Sequence, residues 1–199
     1  MVIVMKSPSE MSRAQVLVEC ALMVALSFVL SILPGFEMPF GGKVSWFSTL
    51  PIIIAGLRHG TRWGVPTALV YSLTQLLIGG VSGVPAGTFG AMALCALLDY
   101  VAAYTALGAV GAIAGAVERG GTAALAVGIA ATGAARLACS ILSGGLLWGT
   151  YAPEGWNIWA YSLVYNSLWC VPDVMITLVG AVLLARVRQL SLTARKADA

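Results

Sequence analysis

Four ionisable residues lie inside long apolar stretches of the sequence: Glu19, Asp99, Arg136 and Asp173. A charged side chain is costly in apolar surroundings, so such residues are candidates for a functional site. Asp173 follows Pro172, which deprives a backbone carbonyl of its helical hydrogen bond. The structural alternative is that Asp99 or Asp173 pairs with Arg136 inside the fold. The sequence leaves open whether Arg136 faces a ligand, Asp99 or Asp173, and for Glu19 packing is an equally good interpretation.

An aromatic stretch from Trp148 to Asn166 connects two of the apolar segments. Its 19 positions hold three of the six tryptophans and three of the six tyrosines. Such residues collect at membrane interfaces, but they also line pockets. A carboxylate among aromatic rings suits a cationic ligand, since the rings attract the charge and the carboxylate accepts N–H groups. We expect Asp99, Tyr100 and Phe89 to lie in the same half of the membrane as this stretch and to contact such a ligand.

The motifs of the common catalytic classes are absent from the sequence. There is no phosphate-binding GK[ST] loop, no nucleophile elbow and no His/Cys metal set. All four cysteines fall inside apolar segments, where we interpret them as reduced, buried, small hydrophobic residues. We therefore predict no enzymatic activity, no cofactor, no metal and no nucleic-acid partner.

The composition indicates a membrane protein. Of 199 residues, 59% are hydrophobic and only 10% are charged, whereas about a quarter of the residues of a soluble domain are charged. Runs of about 20 apolar residues cross a bilayer as helices, and the alternation of a transmembrane β-barrel is absent. The fold class predicted is an all-α membrane protein.

Six apolar segments are separated by loops rich in glycine, proline or charge. The five long segments are Val16–Leu33, Trp63–Gly80, Phe89–Val117, Thr122–Trp148 and Ala160–Ala185. The sixth, Leu50–Leu57, is too short to cross unless preceding residues join it or the bundle protects it. We predict one compact bundle of six transmembrane helices over residues 16–185. A cytoplasmic segment of residues 1–15 precedes it, and a basic cytoplasmic tail of residues 186–199 follows it.

The basic residues predict the orientation of the bundle. Nine of the eleven lysines and arginines fall on the side of the two termini: Lys6, Arg13, Arg58, Arg62, Arg119, Arg186, Arg188, Arg195 and Lys196. The opposite loops hold only Lys43. Because basic residues accumulate on the cytoplasmic side, we expect both termini inside the cell and the aromatic stretch outside. His59 then lies in a cytoplasmic turn, where we expect a surface residue.

Several motifs together identify a family resemblance. The most specific are Tyr151-Ala-Pro-Glu-Gly155 after Trp148, then Trp159-Ala-Tyr161-Ser-Leu and Tyr165-Asn166. Supporting motifs are Leu97-Leu-Asp99-Tyr100, Leu50-Pro51 and Arg58-His-Gly60. Over about residues 19–184 the chain resembles the thiamine-specific S components of energy-coupling factor (ECF) transporters.

The resemblance implies a function and a set of partners. It implies a six-helix protein of the prokaryotic plasma membrane that binds thiamine from outside. Such a protein docks on a transmembrane coupling protein and two ATPase subunits, and topples in the bilayer to release its ligand inside. By position, the family's pocket residues correspond to Asp99, Tyr100, Trp148, Tyr161 and Asn166. Ala21 and Ala25 correspond to the small-xxx-small surface that meets the coupling protein.

The chain departs from the family pattern at three pocket positions. Ser140 replaces a histidine that members often have, Phe89 replaces a tyrosine of some members, and Asp99 replaces a glutamate of some members. Aromatic stacking should survive these changes, while the polar contacts need not. Arg136 and Tyr151 complete the candidate site. We expect thiamine, or a relative with the same aminopyrimidine, as the ligand; the alternative function is an ATP-independent channel or facilitator for small solutes.

Overall fold

Six helices and one short hairpin make up the protein in the computed structural model, which describes residues 11–39, 42–81, 83–117 and 121–186. The helices are α1 (Arg13–Ile32), α2 (Leu50–His59), α3 (Thr61–Gly79), α4 (Phe89–Gly115), α5 (Gly121–Leu147) and α6 (Ile158–Ala185). Between α1 and α2, strands β1 (Phe36–Glu37) and β2 (Lys43–Val44) pair antiparallel. The predicted helical bundle is confirmed. The hairpin was not predicted, because strands of two residues leave no alternating pattern.

Side-chain caps set the beginnings of the first and last helices. Ser12 Oγ accepts from the Gln15 backbone N–H, and Gln15 Oε1 accepts from the Ser12 backbone N–H. This capping box satisfies two donors that a helix start leaves unpaired, and α1 begins three residues before the predicted Val16. At α6, Asn157 Oδ1 accepts from the backbone N–H groups of the second and third residues of the helix, 2.9 and 3.3 Å away.

The short helix α2 forms the centre of the bundle. Every residue from Leu50 to Arg58 is buried, and Ile52 and Ile53 are at most 1% exposed. Four helices of the described residues, α1, α4, α5 and α6, are long and apolar enough to cross a membrane. The short segment therefore lies protected inside the bundle, as one of the two sequence interpretations predicted.

Glycine allows α4 to approach α2 closely. A side chain at Gly111 would collide with the backbone carbonyl oxygen of Gly56. In the segment Gly111-Ala-Ile-Ala-Gly115, which has two small residues four positions apart, the first glycine permits this close packing of α4 on α2. The space around Gly115 is open.

An ion-pair cluster joins α1 to the end of α2. The Glu19 carboxylate lies 2.6 Å from Arg58 Nε and 3.3 Å from His59 Nε2. The His59 side chain is only 2% exposed, so the prediction of a surface histidine is wrong. Its ring is buried beside α1, within ion-pair distance of the Glu19 carboxylate.

The described residues do not include residues 1–10 with Lys6, the basic turn with Arg119, or the tail from residue 187.

Candidate functional site

A cavity of about 830 Å³ opens between the hairpin and the ends of α3, α5 and α6. Ligand sites in proteins usually enclose about 300–1,000 Å³. Eight of the predicted site residues line it: Asp99, Tyr100, Arg136, Ser140, Trp148, Tyr151, Tyr161 and Asn166. These residues come from α4, α5, α6 and the loop between α5 and α6, so the fold brings together positions up to 67 residues apart in the sequence.

The helix that carries Asp99 is irregular at that residue. Within α4, residues Ala96–Ala102 form π-helical turns, and Ala106–Ala109 form a 3₁₀ turn. A π stretch inserts an extra residue into a helix and re-aims its side chains, which is frequent at functional sites. It presents Asp99 and Tyr100 to the cavity.

Asp99 is held by neutral donors. Ser143 donates its hydroxyl hydrogen to Asp99 Oδ2, and the Cys95 thiol donates to the same oxygen over 3.4 Å. Both donors are uncharged, so the hydrogen bonds fix the group while its negative charge stays uncompensated.

Charge pairing sets Asp99 apart from the other ionisable residues of the cavity. Lys43 Nζ lies 3.4 Å from Glu37 Oε1, and Arg136 Nη1 lies 2.6 Å from Asp173 Oδ2. Within the described ranges, no basic side chain forms an ion pair with Asp99. The cavity therefore carries one uncompensated negative charge, which favours a cationic ligand.

The Arg136 guanidinium contacts protein groups on several sides. Besides its bond to Asp173, its Nη2 donates to the Tyr104 hydroxyl over 3.2 Å. Its guanidinium carbon lies 4.5 Å from the centre of the Tyr104 ring and 4.9 Å from that of Trp169. Arg136 is only 4% exposed. Of the three partners that the sequence left open for Arg136, the structure selects Asp173 for the ion pair, and Arg136 also lines the cavity.

The amide of Asn166 is occupied by protein groups. Its Nδ2 donates to the Ser140 carbonyl (3.2 Å) and the Ser162 carbonyl (2.9 Å), and its Oδ1 accepts from Trp169 Nε1 (3.2 Å). Since Trp169 also contacts Arg136, Asn166 fixes the position of both side chains. Asn166 thus lines the cavity with its amide bonded to protein groups.

Aromatic rings form the rest of the wall. Trp148 and Tyr151 stack with their ring centres 6.0 Å apart, and Tyr161 and Tyr165 lie 5.8 Å apart. The Tyr100 hydroxyl donates to the Gly80 carbonyl over 2.9 Å. The rings surround an apolar space that suits a flat aromatic ligand.

A family model described as "thiamine transporter protein" matches residues 17–192. The chain belongs to this family. The family resemblance predicted from the sequence motifs is therefore confirmed.

Individual relatives agree with the family. The thiamine transporter ThiT of Bacillus subtilis is 32% identical over 178 residues, covering 84% of this chain and 88% of the relative. ThiT of Lacticaseibacillus paracasei is 26% identical, covering 82% of this chain and 83% of the relative. In each comparison the similarity thus covers more than 80% of this chain and of the relative.

Solved structures show the same fold. ThiT from Listeria monocytogenes superposes with a TM-score of 0.71 at 21% identity, covering 92% of this chain and 99% of that one. An S component of a bacterial ECF transporter superposes with a TM-score of 0.55 at 22% identity, covering 87% and 97%. The fold of these solved structures is thus present in this chain.

One residue that the family pattern places at the pocket lies outside the cavity. Phe89 is the first residue of α4 and is 85% exposed. Trp156 and Trp159 are also outside the cavity and about half exposed, as a membrane-interface position requires.

The cavity includes polar residues that sequence reasoning missed. Lys43 comes from the hairpin, Gln75 from α3, Tyr104 from α4 and Trp169 from α6. Tyr104 and Trp169 had a usable signal, because an aromatic residue with a polar group in a span needs a buried partner. The sequence offered no such signal for Lys43 and Gln75.

Proposed function

We propose that this chain is the membrane-embedded substrate-binding subunit of an ECF-type importer and that it binds thiamine. The observation that carries the proposal is the uncompensated Asp99 carboxylate in an aromatic cavity of a thiamine transporter family member. Thiamine combines a permanently charged thiazolium ring with a flat aminopyrimidine ring. The candidate ligand-binding residues are the eight sequence-predicted residues that line the cavity: Asp99, Tyr100, Arg136, Ser140, Trp148, Tyr151, Tyr161 and Asn166.

The chemistry of the site fits this ligand. A carboxylate without a protein cation gains a partner when an organic cation enters, and the aromatic rings attract the same charge through their faces. The paired Arg136 and Lys43 add little net repulsion, since each has its own carboxylate. A neutral or anionic solute would leave Asp99 uncompensated.

Delivery across the membrane requires partners. The basic residues favour an orientation with both termini in the cytoplasm and the cavity outside, in a prokaryotic plasma membrane. Ala21 and Ala25 are exposed on α1, where small side chains let another helix approach closely. We assign this surface to a transmembrane coupling protein that works with two ATPase subunits.

A titration of the purified full-length chain tests the binding step. Thiamine, its phosphates and its pyrimidine half are added separately while tryptophan fluorescence and heat are recorded. We expect saturable thiamine binding that quenches fluorescence, with less quenching in Trp148→Phe. Trp156→Phe is the matched control, because Trp156 lies outside the cavity. No saturable binding of any of these compounds would refute the proposal.

Uptake into vesicles separates coupled import from the alternative of a facilitator. Vesicles that contain this chain alone should not accumulate thiamine, and those with the coupling protein, both ATPases and ATP should. Flux without ATP would assign the facilitator function instead.

A further inference from the structure

We propose that Ser143 and Cys95 are positioning residues that orient the Asp99 carboxylate towards a ligand cation. The inference rests on the proposed function, and it assigns a role to two residues that the sequence motifs do not include; of the two, Cys95 also lines the cavity. Ser143 does not line the cavity and is completely buried (0% exposed). Its effect on a ligand must therefore pass through Asp99.

The two donors converge on one oxygen of the carboxylate. The Ser143 hydroxyl on α5 and the Cys95 thiol on α4 both donate to Asp99 Oδ2. Neither donates to Oδ1. Holding Oδ2 from the protein side fixes the plane of the carboxylate and directs Oδ1 to the cavity, which Asp99 lines.

Neutral donors suit this task better than a cation. A buried lysine or arginine beside Asp99 would cancel the negative charge that a cationic ligand needs. Hydroxyl and thiol hydrogens stabilise the ionised carboxylate by charge-assisted hydrogen bonds and leave its net charge in place. Rotation of an unrestrained aspartate would otherwise have to be frozen when the ligand binds, which lowers affinity.

Ser143→Ala tests the inference in the purified full-length chain. Dissociation constants are measured for thiamine and for a neutral analogue in which an uncharged ring replaces the thiazolium. We expect about a five- to tenfold weaker binding of thiamine, because the lost hydrogen bond is to Asp99 and only part of its free energy is transmitted to the ligand. Binding of the neutral analogue should change less than about twofold, which also shows that the variant is folded.

Companion variants separate positioning from general packing. Ser143→Thr and Cys95→Ser keep a donor and should keep the preference for thiamine, whereas Cys95→Ala should reduce it. The matched control is Thr132→Val on the same helix, because the buried Thr132 hydroxyl bonds only to carbonyls of its own helix. In an Asp99→Asn background, Ser143→Ala should not change the preference further.

Two results would overturn the inference. One is an equal loss of affinity for thiamine and the neutral analogue in Ser143→Ala. The other is an undiminished effect of Ser143→Ala in the Asp99→Asn background. If the wild-type chain binds neither compound, the proposed function itself fails. Strong wild-type binding with no selective effect of Ser143→Ala refutes only the positioning role.

Discussion

Asp99 and Arg136 line the same cavity, but the protein treats their charges in opposite ways. Arg136 has an ionic partner at 2.6 Å, a tyrosine hydroxyl at 3.2 Å and two aromatic faces within 5 Å. Within the part of the chain that the structure describes, Asp99 has only neutral donors. An ionisable residue inside a membrane bundle is therefore not by itself a ligand contact. What distinguishes the two residues is whether the protein already supplies the opposite charge.

This difference assigns different contributions to the two sides of the cavity. On the Arg136 side, the guanidinium has an ion-pair partner in Asp173 and an aromatic contact in Trp169. We expect this side to stabilise the fold and to hold the floor of the cavity. The Asp99 side is incomplete without a cation, and we expect it to contribute mainly to binding.

The largest effect is expected on stability when the ion pair is broken. Asp173→Ala leaves a buried guanidinium without its carboxylate, which costs about 3–5 kcal/mol. Thermal unfolding of the purified chain should show a clearly lower midpoint. The double variant Arg136→Met with Asp173→Leu removes both charges and should recover most of the loss. An unchanged midpoint in Asp173→Ala, with weaker thiamine binding, would reverse the roles of the two sides.

A smaller effect is expected at Asn166. Asn166→Ala leaves the Trp169 indole N–H without its acceptor, and an unsatisfied buried donor costs about 1–3 kcal/mol. We expect lower stability together with weaker thiamine binding, because Trp169 and Arg136 lose their fixed positions. Affinity and unfolding midpoint are measured on the same preparation. If binding weakens and stability does not change, Asn166 acts on the ligand directly.

The smallest effect on the cavity is expected from the surface of α1. Ala21→Leu with Ala25→Leu enlarges side chains that are exposed and lie outside both networks. Thiamine affinity should stay within about twofold of the wild type. Assembly with the coupling protein and ATP-dependent uptake should be lost, because bulky residues prevent close helix approach. Normal uptake would place the coupling surface elsewhere.

The helices could be predicted from the sequence because hydropathy and capping are local. The predicted segments begin and end within a few residues of α1 to α6, and even the buried position of Leu50–Leu57 was one of two stated alternatives. The hairpin and the π-helical turns of α4 could not be predicted. The hairpin depends on pairing between two separate segments, and the π-helical turns depend on which carbonyl of the same helix accepts each N–H; hydropathy indicates neither.

The sequence predicted which residues lie at the candidate site better than it predicted what each residue does there. Asp99 and Trp148 followed from charge in a span and from aromatic clustering. Phe89 lies outside the cavity, and the sequence motif did not indicate this because the direction of a side chain depends on helix rotation. The positional role proposed for Ser143, and the bonds of Asn166 to protein groups, follow only from which atoms bond across α4, α5 and α6.

The affinity of Asp99→Asn for thiamine tests the central claim most directly. The amide keeps the shape of the carboxylate and removes its charge, so the fold and the Arg136 network should be unaffected. Loss of a charged hydrogen bond of about 1.5–3 kcal/mol predicts at least about tenfold weaker binding with an unchanged unfolding midpoint. Thiamine affinity equal to that of the wild type would contradict the claim that the uncompensated carboxylate binds the ligand.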